Sequence, residues 1–157
     1  MERTRVYSIV KMKIVILVVL TGSLLLSSCT AKEGIEIRNA WMRQTAQGEN
    51  GAVYFVLHNY SAVEDELIGV SAEIAQAVEI HESTMTNDVM QMRMLSSVPL
   101  EASAEVEFSP GGLHIMLVGL KREINIGDSI KITLHFKNNE DSTVHVPVQQ
   151  SGEGHEH

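Results

Sequence analysis

Ile130-Lys131-Ile132-Thr133-Leu134-His135-Phe136-Lys137 is the stretch that decides the fold class. Ile130, Ile132, Leu134 and Phe136 fall on one face of an extended chain, and Lys131, Thr133, His135 and Lys137 on the other, because successive strand side chains point to opposite sides. Strict alternation of this length is the pattern of a half-buried β-strand. Asn138-Asn139 follows as a turn signal, and Val144 to Val148 reads as the closing strand. Working back from there, Ala52 to Leu57 is apolar on both faces and reads as a central strand after the turn-rich Gly48-Glu49-Asn50-Gly51. Ile35 to Trp41, Leu67 to Val70, Ala77 to His81, Val89 to Leu95, Ala104 to Phe108 and Leu113 to Val118 are further strand candidates. No window carries a long helical period; Ala72 to Ala77 offers one helical turn at most. About eight or nine strands at this spacing predict an all-β domain, an antiparallel β-sandwich or Greek-key barrel.

The ends of the chain carry a different signal. Arg3, Arg5, Lys11 and Lys13 precede an apolar run from Ile14 to Leu20 that resumes at Leu24 to Leu26. The run is short of the roughly 20 residues a membrane-spanning helix needs. A basic flank, a short apolar core and small residues before Cys29 are the layout of a secretory signal peptide. Leu26-Ser27-Ser28-Cys29 resembles a bacterial lipobox, in which the cysteine becomes the lipidated first residue of the mature protein. Residues 1–28 are therefore read as a cleaved leader, 29–34 as a lipid-anchored tether, 35–148 as the folded domain and 149–157 as a disordered tail ending in His155-Glu156-His157. Met12-Lys13 ahead of the apolar run is a complete start by itself, so Met12 is an alternative first residue.

Removing the leader leaves 8 basic and 19 acidic residues, a formal charge of −11 with histidines neutral. Nucleic acid, whose binding needs a basic patch, is excluded as a partner. Cys29 is the sole cysteine, so no intrachain disulfide framework exists. A mature domain of about 130 residues buries roughly two-thirds of its unfolded surface and needs no such staple.

Four side chains carry the chemistry. His81 is followed after ten residues by Met92, after twenty-one more by His114, and after one more by Met116. Thioether and neutral imidazole are soft and borderline donors, and a site made of them favours copper(I) over zinc, magnesium or calcium. A hairpin over Glu79 to Met94 turning at Thr86-Asn87 sets His81 opposite Met92, with Cβ atoms about 4.5–5.5 Å apart. His114 and Met116, two apart on a strand started by the turn Pro110-Gly111-Gly112, share a face. Singly each has a plainer reading: a histidine at a strand end is more often a surface residue, and a Met stripe such as Met90, Met92 and Met94 more often fills a core. Together they weigh more, because Met85, Met90, Met92 and Met94 crowd one hairpin. His135 on the polar face of its strand, His58 at the end of a buried-looking strand and His145 without a partner at ligand spacing are read as ordinary residues rather than ligands.

Val78-Glu79-Ile80-His81-Glu82-Ser83-Thr84-Met85, Val89-Met90-Gln91-Met92-Arg93 and Pro110-Gly111-Gly112-Leu113-His114-Ile115-Met116-Leu117 together resemble the PCu(A)C family of bacterial copper chaperones, whose ligand spacing this chain matches without a gap. Ala40-Trp41-Met42-Arg43, Gly51-Ala52-Val53-Tyr54-Phe55, Asn59 and Asp65-Glu66-Leu67 are similar to the family's upstream strands, so the likeness runs from about Ile35 to Val148. The resemblance implies a cupredoxin-like β-sandwich holding one copper(I) through His81, Met92, His114 and Met116. It implies an extracytoplasmic, periplasmic or cell-surface carrier of copper to assembling centres of a haem-copper oxidase, with subunit II or another copper-assembly protein as partner. Family tails rich in His or Met bind copper(II), and His155 and His157 look like a minimal form of one. The lipobox departs from the many freely soluble members and implies attachment to a membrane through Cys29.

No Ser-His-Asp or Cys-His arrangement, phosphate loop or carboxylate pair stands out, and no enzyme is expected. Two other classes stay open: an electron-transfer cupredoxin, which requires a thiolate, and a cell-surface β-sandwich whose Met and His residues are incidental.

Overall fold

A computed structural model describes residues 33–150. The leader at 1–28, Cys29, most of the tether and the histidines of the tail lie outside the described residues. Ten strands follow one another: β1 Ile35–Arg43, β2 Gly51–Asn59, β3 Asp65–Ser71, β4 Ala75–Thr86, β5 Val89–Leu95, β6 Val98–Leu100, β7 Glu105–Phe108, β8 Leu113–Leu120, β9 Ser129–Phe136 and β10 Ser142–Gln149. The all-β expectation holds, and the Ala72–Ala77 segment forms no helix.

The strands bond in the order β5-β4-β8-β7-β2-β1-β10-β9-β3-β6, with β8 also bonded to β2. Two features depart from the expectation. Pairing is mixed, because β1 runs parallel to β10 and β7 parallel to β8. The strands also number ten, the unforeseen one being β6, whose three residues centre on Pro99 and line the sheet edge beside β3. Proline lacks the donor a central strand must supply and is favoured at such edges, and three residues are too few to show a period.

The opening stretch is β9. Ile130, Ile132, Leu134 and Phe136 are buried, and they meet Val146 and Val148 of β10, Leu67 of β3 and the inward side chains of β2 and β8 in one core. Phe55 and Phe108 stack within it at 4.4 Å between ring centroids. Burying large aromatics of this kind dominates the energetics of a small core.

Polar residues fix the turns. Asp65 is buried, and its carboxylate accepts from the backbone N–H of Glu66 (2.7 Å), Asn138 (2.9 Å) and Asn139 (3.1 Å) and from the Asn139 amide (2.6 Å). Burial works to raise its pKa, but these four donors outweigh it and hold the carboxyl below its ordinary value. Asn59, also buried, donates to the carbonyls of Val63, Leu100 and Glu101 and so ties β2 to the β6–β7 connection. At Gly119 the backbone has φ +60°, a conformation that favours glycine, and a Cβ there would stand 2.9 Å from the end of the Gln76 side chain, which would have to shift.

Candidate metal centre

The site grows from the β4–β5 hairpin. Thr86 pairs with Val89, leaving Asn87 and Asp88 as the two-residue turn, with φ 51° and 59°. A two-residue hairpin loop of this hand needs positive φ at both positions, which Asn and Asp tolerate and β-branched Thr resists. The turn therefore sits one residue later than the expected Thr86-Asn87, and the register moves with it. His81 faces Met94, and Met92 faces Ser83. The partner moves by two residues, so the face is kept. Met92 still lies on the side of the sheet that carries His81, as its diagonal neighbour rather than its direct opposite.

Strand β8 pairs with β4 on the other side and sets His114 directly opposite His81 and Met116 opposite Glu79. Met94, His81 and His114 thus lie abreast across β5, β4 and β8. Neighbouring Cβ atoms in such a row are about 4.5–5.5 Å apart. The row faces away from the core, since Ile80 and Ile115, next along the same strands, are buried in it. All four expected ligands therefore share one face. The two imidazole centroids are 5.8 Å apart, Tyr54 lies 6.4 Å from His114, and Trp41 packs on Tyr54 at 4.7 Å. Burial holds the Tyr54 hydroxyl above its ordinary pKa against the pull of Arg43, so it stays neutral beside the histidines.

Hydrogen bonds choose the tautomers. His114 Nδ1 donates to the Gly112 carbonyl at 3.0 Å, which leaves Nε2 as its bare nitrogen. Gly112 also accepts from the Ser83 N–H, so one carbonyl fixes both the imidazole and the strand beside it. His81 Nε2 donates to Glu79 Oε2 at 2.7 Å, and its Nδ1 is buried without a partner. A buried nitrogen lone pair with nothing to accept is costly unless a ligand takes it. A carboxylate behind an imidazole, fixing its ring and raising its basicity, is the usual arrangement around a metal-binding histidine.

The donor set suits a soft ion. Among the described residues no group of three or more His, Cys, Asp or Glu gathers, so neither the oxygen-rich cluster typical of calcium or magnesium nor the His/Cys cluster typical of zinc is found among them. The hairpin methionines are not core filling. Met85, Met90, Met92 and Met94 are 64%, 59%, 51% and 66% exposed.

A family model described as "Putative lipoprotein LpqE-like" matches residues 35–148. The chain belongs to the LpqE-like family. Among its relatives, "Putative lipoprotein Lxx21020" of Leifsonia xyli subsp. xyli is 30% identical over 118 residues, covering 74% of this chain and 70% of the relative. RP573 of Rickettsia prowazekii is 31% identical over 123 residues, covering 75% and 68%. A solved structure titled "Copper-bound PCuAC domain from PmoF2" superposes with a TM-score of 0.62 at 25% identity, covering 73% of this LpqE-like chain and 92% of that domain. The PCu(A)C resemblance read from the sequence is borne out.

Two participants were absent from the sequence reading. Glu79 lies two residues before His81 and so on its face, a spacing that marks it as a candidate to orient the ring. Met94 follows from placing the turn at Asn87-Asp88. The remaining described histidines have other partners: His58 meets Glu105 at 3.2 Å, and His135 meets Asp141 at 2.8 Å and Ser71 at 2.9 Å. His145 pairs across strands with Lys131.

Proposed function

We propose that this LpqE-like protein is an extracytoplasmic copper(I) carrier whose ion is held by His81, Met92, His114 and Met116. One observation carries the reading: two imidazoles stand abreast on the face turned from the core, among exposed thioethers, and one of them keeps a buried nitrogen without a partner. The copper-bound PCuAC domain of like fold supports it.

The chemistry suits carriage and release. Imidazole and thioether are neutral, so they compensate no charge on the metal and favour the monovalent ion. His114 stays aimed through Gly112 and His81 through Glu79 while the methionine arms, long and exposed, come and go. An incoming donor displaces one weak thioether at a time and never has to strip the ion bare. On this reading the protein works as a carrier rather than an enzyme.

Cys29, after cleavage of residues 1–28, anchors the carrier to a membrane surface. Residues 29–34 then tether the domain of 35–148, and the tail of 149–157 takes copper(II) through His155 and His157. The client is a membrane-bound haem-copper oxidase, through the copper centre of its subunit II. Incubating the copper(I)-loaded chain with the copper-free soluble domain of subunit II, separating the two and measuring their metal tests this. Copper should move to subunit II, and a His81→Ala/Met116→Leu chain should deliver none. A loaded chain that keeps its copper in the presence of subunit II would rule out that client.

A further inference from the structure

The outward face of β5-β4-β8 holds more soft donors than one ion can use. A copper(I) ion takes up to four, and His81, His114, Met116 and one β5 methionine suffice. Three thioethers remain. We infer that the hairpin tip is a second copper(I) site, formed by Met85, Met90 and Met92, with Met94 serving the first ion when Met92 serves the second. The inference rests on the copper(I) reading of the histidine row.

The register supports it. Met85 stands directly opposite Met90, and Ser83 opposite Met92, so Met92 is the diagonal neighbour of Met85. Directly opposed Cβ atoms are about 4.5–5.5 Å apart and diagonal ones about 7–8 Å, within reach of flexible methionine arms. Met94, not Met92, lies in the row of the two histidines. The first ion can therefore keep a fourth donor while Met92 turns toward the tip, about 6.8 Å further along the strand per pair of residues.

Charge and exposure agree with this assignment. Arg93 and Glu82, the charged pair of the hairpin, face one another on the opposite side, with Arg93 Nε donating to Glu82 at 2.7 Å. The tip face is thus free of that pair's charges, as a neutral site for a monovalent ion requires. The thioethers are more than half exposed and pack no core, yet exposed methionine is open to oxidation outside the cytoplasm. Among the described residues β5 is also an edge strand of the sheet, so an ion held there is presented outward to an exchanging partner.

Anaerobic titration of the full chain with copper(I) against a graded competing chelator counts the ions. The wild type should take two, the second at least about tenfold more weakly. Met85→Leu/Met90→Leu, a change at exposed positions with the circular dichroism expected to stay unaltered, should take one, with the first affinity unchanged. Saturation of the wild type at one ion would overturn the inference, as would two ions retained by the double variant. A chain that bound no copper(I) at all would sink the reading of the histidine row as well.

Discussion

At the residue scale the site depends on two hydrogen bonds that no ligand spacing reveals. His81 is aimed by Glu79 and His114 by the Gly112 carbonyl, and each imidazole is left with one bare nitrogen. Glu79→Ala should weaken copper(I) binding by about 10- to 100-fold, the usual cost of losing the group behind a metal-bound histidine. Competition with a chelator measures this, and unchanged affinity would show that Glu79 does not orient the ring. The four candidate ligands and their order were legible in the sequence because softness is a property of single side chains. The opposition of His81 and Met92 was misread, since it depended on which two residues turn the hairpin. Asn87 and Asp88 both accept positive φ, and Thr86 does not; that difference was present in the sequence and moves the partner of His81 to Met94.

At the scale of elements, nine strands were legible from runs of strand-forming residues between turn signals; β9 has one buried and one open face, whereas β5 is exposed from Val89 to Met94. β6 was missed because three residues around a proline carry no period and are held by β3. The parallel pairings of β1 with β10 and β7 with β8 were equally illegible, since they depend on which distant strands meet. Asp65 shows how such meetings are secured: it caps the Asn138-Asn139 turn from another strand. Its folded pKa is depressed, so its contribution is complete above the unfolded value of about 3.9 and is lost as pH falls through the lower folded value. Asp65→Asn should therefore be less stable than the wild type near neutrality, and the denaturant midpoints of the two should converge below about pH 4. A constant gap across that range would show that the carboxylate charge is not what stabilises the turn.

At the scale of the whole molecule, one sheet keeps its core on one side and offers copper a row of donors on the other. Anchoring through Cys29 would restrict this face to encounters near a membrane surface. Cys29→Ser should shift the protein from the membrane fraction to the soluble extracytoplasmic fraction, with copper(I) affinity unaltered. A variant that stays in the membrane fraction would contradict the lipid anchor. The central claim, that imidazole and thioether together hold copper(I), is tested most directly by X-ray absorption of the protein loaded with one equivalent of the ion. The first shell should contain both nitrogen and sulfur, with two imidazoles, at the energy of copper(I). A shell of nitrogen and oxygen alone would contradict it.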